Sequence, residues 1–232
     1  MPRYQSFKSL FQWVIFCEGF LPVWAPCLTL IQMQALIFDL FGVLVSFDDG
    51  LVYDRIAQGC AEPEKVAERL SNLVSQPNLI CGRTELHQLH SQLVRDIKLK
   101  ISLEEFEAIW LASYSEPMPG MRELLRQLSS QCRLVLLSNV DPYYWPTVEA
   151  SIPELHGFHA KVLSFQQGVA KPDSQAFERA VAASGASVEH CYFIDDKIEN
   201  IEVAEALGLA GHTFQSCREL KKVLRRAGLH VE

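Results

Sequence analysis

The sequence predicts an α/β fold: a parallel sheet flanked by helices and interrupted by an inserted all-helical segment. Three observations carry this. Short apolar runs recur along the chain and end in polar residues. Helical periodicity fills the intervals between them. One interval, from about Phe47 to Glu116, is helical in pattern throughout. Apolar runs without alternation suit parallel strands buried on both faces.

The strands are expected at Ala35–Asp39, Leu134–Ser138, Lys161–Phe165 and Cys191–Asp195, with a weaker fifth at Gly211–Phe214. Between and after them, helical stripes run over Gly120–Ser130, Pro172–Ser184, Ile198–Leu207 and Glu219–Ala227. Gly208 is a stop signal for the third of these. Such alternation means right-handed crossovers in a parallel sheet. Inside the inserted interval, Glu62–Val74 and Thr84–Asp96 read as helices, and Ser102-Leu103-Glu104-Glu105 opens another with an N-cap and capping box. The expected division is therefore 33–46 and 117–232 as the core, with 47–116 as a helical cap over the carboxyl edge of the sheet.

Residues 1–32 differ from the rest. From Leu10 to Ile31 the only charge is Glu18, with Arg3 and Lys8 in front. Three readings fit. A membrane anchor has the right length, although Gly19, Pro22 and Pro26 interrupt the run. A start at Met33 would place the first residue just before the first strand. An extra packed segment is the third. The segment is expected to be dispensable for folding. The compartment follows: cytoplasmic, or membrane-anchored through residues 10–31.

Composition bounds the partners. Hydrophobic residues make up 49% of the 232 and charged residues 21%, which excludes a disordered chain. A net charge of −7 argues against non-specific nucleic-acid binding, which rewards excess Lys and Arg. Seven scattered cysteines without a C-x-x-C pair fit thiols in a reducing compartment.

Ligands of open α/β sheets bind outside the carboxyl ends of the strands. There the sequence places Asp39, Ser138-Asn139 and Asp195-Asp196, with Lys171 opening the helix after the third strand. Each alone is commonplace, since strand-end acids are often turn or helix caps. Their joint occurrence at successive strand ends is the signal. Clustered carboxylates call for a hard cation, and oxygen ligation suits Mg2+. A hydroxyl and a lysine beside that cation suit a phosphoryl group.

Phe38-Asp39-Leu40-Phe41-Gly42-Val43-Leu44 resembles the first motif of the haloacid dehalogenase superfamily. Leu137-Ser138-Asn139 resembles its second, Gly168-Val169-Ala170-Lys171-Pro172 its third, and Phe193-Ile194-Asp195-Asp196, with Asn200, its fourth. The resemblance spans nearly everything from Met33 to Leu229. It is nearest in style to bacterial sugar-phosphate phosphatases and the amino-terminal domain of soluble epoxide hydrolases. It implies a Rossmann-like core with the helical cap of subfamily I. It also implies a Mg2+-dependent hydrolase of a small phosphorylated metabolite. Asp39 would be nucleophile and metal ligand, joined by the Phe41 backbone carbonyl. Ser138, Asn139 and Lys171 would hold the phosphoryl group. Asp196 would ligate the metal directly, Asp195 would support it, and Asn200 would orient the acidic loop.

One position departs from the pattern. Phosphatases of the superfamily carry a general acid two residues after the nucleophile, where this chain has Phe41. Such a group is worth roughly 10²–10⁴-fold. Three functions remain open: a phosphatase or phosphotransferase lacking that acid, a weak or inactive homologue that binds a phospho-ligand or regulates a partner, and a 2-haloacid dehalogenase. Dehalogenases also carry an aromatic residue there, because halide leaves unprotonated. Their fourth motif differs from Asp195-Asp196 with Asn200, however. Other residues keep bland readings beside functional ones. His87, His90, His156, His159 and His212 lack metal-site spacing. Arg83 is an exposed helix-start cation or an anion contact. Pro142-Tyr143-Tyr144-Trp145 is a packing segment or a substrate entrance.

Overall fold

The computed structural model describes residues 33–232, apart from 48, 61, 62, 64, 65, 67–69, 71–76, 113 and 114. The leader 1–32 and most of the helix expected at Glu62–Val74 lie outside the described residues.

Five parallel strands form the central sheet: β1 (Ala35–Phe38), β4 (Arg133–Ser138), β5 (Ala160–Leu163), β6 (Cys191–Asp195) and β7 (Ala210–Thr213). Their order is β5-β4-β1-β6-β7, so the first strand is central and the chain winds outward in both directions. The register pairs Phe38 with Leu136 on one side and Ile194 on the other. This brings the ends of β1, β4 and β6 together at the reversal of strand order, where open α/β sheets bind ligands.

The apolar runs form strands because both sheet faces are covered. Leu36 and Phe38 point into one core with Leu134, Leu136 and Ile194. Ala35 and Ile37 point into another with Val135, Leu137 and Phe193. Helices α5 (Met121–Leu128), α6 (Trp145–Ser151) and α10 (Cys217–Arg226) cover the first face. Helices α8 (Ser174–Ser184) and α9 (Ile198–Ala206) cover the second. Local chemistry sets the ends: the Asp173 carboxylate accepts the Gln175 N–H at the start of α8, and Gly185 closes it at φ 66°.

The third strand is shorter than expected. The pattern predicts a strand over Lys161–Phe165, but the strand ends at Leu163 and Ser164–Gln167 forms a short helix, α7. The buried Ser164 hydroxyl accepts the Val140 N–H, 24 residues away, at 3.0 Å, which ties the start of this helix to the loop after β4.

The inserted segment holds α1 (Asp49–Ala57), α2 (Pro77–Ile80), α3 (Leu86–Ile97) and α4 (Leu103–Leu111). Its buried residues, including Ile56, Leu70, Leu93 and Phe106, form a hydrophobic cluster separate from the two sheet cores. Ser102 caps α4 by accepting the Glu105 N–H at 3.1 Å. The segment is not helical to its edges. Strands β2 (Val45–Phe47) and β3 (Ser115–Pro117) pair antiparallel as a ribbon outside the central sheet, with Val45 opposite Pro117. Runs this short carry no readable alternation, so helical periodicity dominated the sequence pattern. Among the described residues, no helix is long and apolar enough to cross a membrane.

Candidate active site

Asp39 stands one residue beyond β1, buried at 6% exposure. Its Oδ1 accepts the Leu40 N–H at 2.7 Å and the Lys171 ammonium at 2.7 Å. Among the described residues no bond is made to its Oδ2, which leaves that oxygen available to a substrate or a cation. The buried Lys171 ammonium also donates to Asp195 Oδ2 at 2.6 Å. A lone buried ammonium or carboxylate would be strongly penalised, and this three-membered network offsets the penalty.

Asp195, at the end of β6, is fully used. Its Oδ1 accepts the Lys197 N–H at 2.8 Å and the Asn200 amide at 2.9 Å, and its Oδ2 also meets that amide at 3.0 Å. Asp196 is exposed, and its carboxylate receives no side-chain hydrogen bond among the described residues. Carboxylate oxygens of Asp39, Asp195 and Asp196 lie within 4.8 Å of one another. The donor set is all oxygen, anionic and partly uncommitted, which fits a hard divalent cation.

Electrostatics follow from crowding. Burial and the Asp195 charge push the Asp39 carboxyl up to about 7 against the pull of Lys171. Burial also raises Asp195, but Lys171, Asn200 and the Lys197 N–H outweigh it, and that carboxyl falls below its ordinary value. Asp196 is pushed up by partial burial and by Asp195. Burial opposes the charge on Lys171, yet the two carboxylates hold its pKa above the usual lysine value.

Ser138 ends β4. Its hydroxyl is wholly buried and has no hydrogen-bond partner among the described residues. A buried orphan hydroxyl at a site is an acceptor or donor awaiting a ligand. Asn139 lines the cavity and also braces Lys171. Its side-chain amide donates to the Lys171 carbonyl and accepts the Lys171 N–H, both at 2.8 Å, so it fixes the lysine backbone. Asn200 is buried and grips both oxygens of Asp195, orienting the acidic loop.

A cavity of about 270 Å³ is lined by Asp39, Phe41, Asn139, Lys171, Asp196 and Asn200, together with Gly42 and Lys197. Lys197 was missed by sequence reasoning, although its place beside the acid pair could have marked it. The half-buried Phe41 ring stacks on Tyr144, with centroids 6.2 Å apart. Tyr144 and Trp145 are buried in the sheet core, so the Tyr-Tyr-Trp run mainly packs. Arg83 donates to the Gly168 carbonyl at 2.8 Å. Of the histidines, His87, His156 and His159 are exposed, and none joins the acidic cluster.

The family model described as haloacid dehalogenase-like hydrolase matches residues 33–208. The chain belongs to the haloacid dehalogenase-like hydrolase family. Within it, the chain is 26% identical over 191 residues to D-ribitol-5-phosphate phosphatase of Bacteroides thetaiotaomicron, covering 79% of this chain and 92% of that one. It is 24% identical over 188 residues to a phosphatase of Mycobacterium tuberculosis, covering 78% and 87%. A solved haloacid dehalogenase-family enzyme from B. thetaiotaomicron, in complex with magnesium and inorganic phosphate, shares the fold. Its TM-score is 0.70 at 20% identity, over 83% of this chain and all (100%) of that one. The chain is thus a hydrolase with phosphatases among its relatives.

Proposed function

We propose that this haloacid dehalogenase-like hydrolase is a Mg2+-dependent phosphatase of a small phosphorylated metabolite, working through an aspartyl-phosphate on Asp39 without the usual general acid. One observation carries the reading. The Asp39–Lys171–Asp195 network leaves Asp39 Oδ2 and the Asp196 carboxylate uncommitted at one cavity, with the unpartnered Ser138 hydroxyl at the end of the adjacent strand. Asp39, Asp196 and the Phe41 carbonyl would hold Mg2+, with Asp195 behind them. When bound, the cation neutralises charge on the phosphoryl oxygens and on the nucleophile.

The chain's own residues do the rest. Asp39 Oδ2 attacks phosphorus, the ester P–O bond breaks, and the leaving oxygen takes its proton from water because Phe41 has none to give. Ser138 and Lys171 hold the phosphoryl oxygens, and Asn139 keeps Lys171 in place. Water then attacks phosphorus, releasing phosphate and restoring Asp39. Residues 47–116 serve as the cap that selects the organic part of the substrate.

The test is a plate of aryl phosphates, alkyl phosphates and 2-haloacids, with and without Mg2+, on wild type and Asp39→Asn. We expect Mg2+-dependent release of phosphate, best from aryl esters, and its loss by at least about 10³-fold in the variant. Turnover unchanged by Asp39→Asn would overturn the reading. The Phe41–Tyr144 stack favours a second reading, a phospho-ligand binder with little turnover. Phosphate binding without hydrolysis would select it, and halide release would select the dehalogenase.

A further inference from the structure

Asp141 follows Ser138-Asn139 and is buried at 8% exposure, yet it has no part in the chemistry above. Its Oδ1 accepts the Tyr143 N–H at 2.8 Å and the Tyr144 N–H at 2.9 Å, capping the turn into α6. A turn cap needs one oxygen, and asparagine would supply it at a smaller desolvation penalty. The second oxygen explains the acid. Oδ2 accepts the indole N–H of Trp110 at 3.3 Å. Trp110 lies on α4, its ring buried in the insertion's own cluster 5.8 Å from Phe106. A buried indole N–H requires an acceptor, and an asparagine serving the turn would turn a donor toward it.

We propose that Asp141 and Trp110 form a clasp between the core and the insertion, making Asp141 a positioning residue. One carboxylate holds both the turn beyond the phosphate-binding loop and the seat of the inserted helices. The same turn carries Tyr144, whose ring stacks on Phe41 in the cavity wall. Lifting the insertion removes the donor from Oδ2 and leaves a buried carboxylate short of a bond. The clasp therefore favours the seated insertion, and its effect belongs to recognition of the organic part of the substrate.

The catalytic consequence rests on the phosphatase reading, so the test carries one arm that does not. Full-length Trp110→Phe, Asp141→Asn and the double variant are compared with wild type. The first arm is hydrogen exchange over residues 86–111. Exchange there should quicken in both single variants, while the strands of the central sheet stay protected. The second arm is p-nitrophenyl phosphate turnover against inhibition by inorganic phosphate. KM should rise about tenfold in each single variant with inhibition changed less than about twofold, and the double variant should match the singles. Asp141→Ala, which also removes the turn cap, should weaken inhibition as well. Unchanged exchange in both single variants would overturn the clasp, as would a parallel loss of substrate and phosphate binding in Trp110→Phe. Absence of wild-type turnover would count against the phosphatase reading alone, and exchange would then decide the clasp.

Discussion

At the scale of single residues, the site is built from side chains that satisfy one another and a few that do not. Asp195 is saturated and Lys171 has spent two of its three donors, whereas Ser138 and Asp196 are left open. Phe41 belongs to neither class, since it lines the cavity and packs into the sheet core. Phe41→Asp should restore a proton donor beside the leaving oxygen. Alkyl phosphates, whose leaving groups are poor, should gain about tenfold or more, and p-nitrophenyl phosphate much less. Loss of the stack on Tyr144 should destabilise the fold by about 1–3 kcal/mol, read from urea midpoints. Equal gains on both ester classes would show that Phe41 does not stand in for an acid. Much of the site could be read from the sequence because apolar runs end in Asp39, Ser138 and Asp195. What could not be read is pairing across the fold. Asn139 spends its amide on a backbone 32 residues away, and Asp141 meets Trp110 31 residues back. No periodicity reports such contacts.

At the scale of elements, the loop after β1 runs hard against the loop after β6. Gly42 has φ 80°, and a Cβ there would lie 2.4 Å from Asp196 Oδ2. Gly42→Ala must therefore displace the exposed acid as well as strain its own backbone, which alone costs about 1–2 kcal/mol. Mg2+ affinity in calorimetric titration should fall about tenfold or more, equivalent to about 1.4 kcal/mol. Affinity within about twofold of wild type would remove Asp196 from the metal site. Long helices and buried strands were legible, because burial on both faces writes itself as unbroken apolar sequence. The ribbon of β2 and β3 was not, being only three residues on each side. The end of β5 was not legible either, because Ser164 is held by a backbone group 24 residues away, which hydropathy does not report.

At the scale of the whole molecule, Asp39 and Asp195 share one buried lysine while Asp196 crowds them within 4.8 Å, so the cation-free protein holds repulsion inside its fold. A ligand that binds only the folded chain stabilises it by about 2.7 kcal/mol at a hundredfold excess over Kd. For a chain of this size that is a rise of about 5–10 °C in Tm. Scanning calorimetry should find that rise with Mg2+ for wild type and little of it for Asp39→Asn. Without Mg2+, the variant should melt higher than wild type, since one charge of the cluster is gone. A lower midpoint for the variant would mean that its lost bond to Lys171 outweighs the relieved repulsion.

The β2–β3 ribbon gives the molecule a particular kind of freedom. The chain leaves the core at Val45 and re-enters at Pro117, and these residues face each other across the ribbon. Everything between them departs and returns through one doorway, so its length can drift without pulling on the sheet as long as its bonds to the core, such as those of Arg83 and Trp110, are kept. Lengthening a segment whose ends already meet adds only a slowly growing entropic burden. The core and the insertion can thus change at separate speeds, with the ribbon kept in register and the few bonds between them renegotiated. Heritable change in what the enzyme accepts should accumulate on the far side of that doorway.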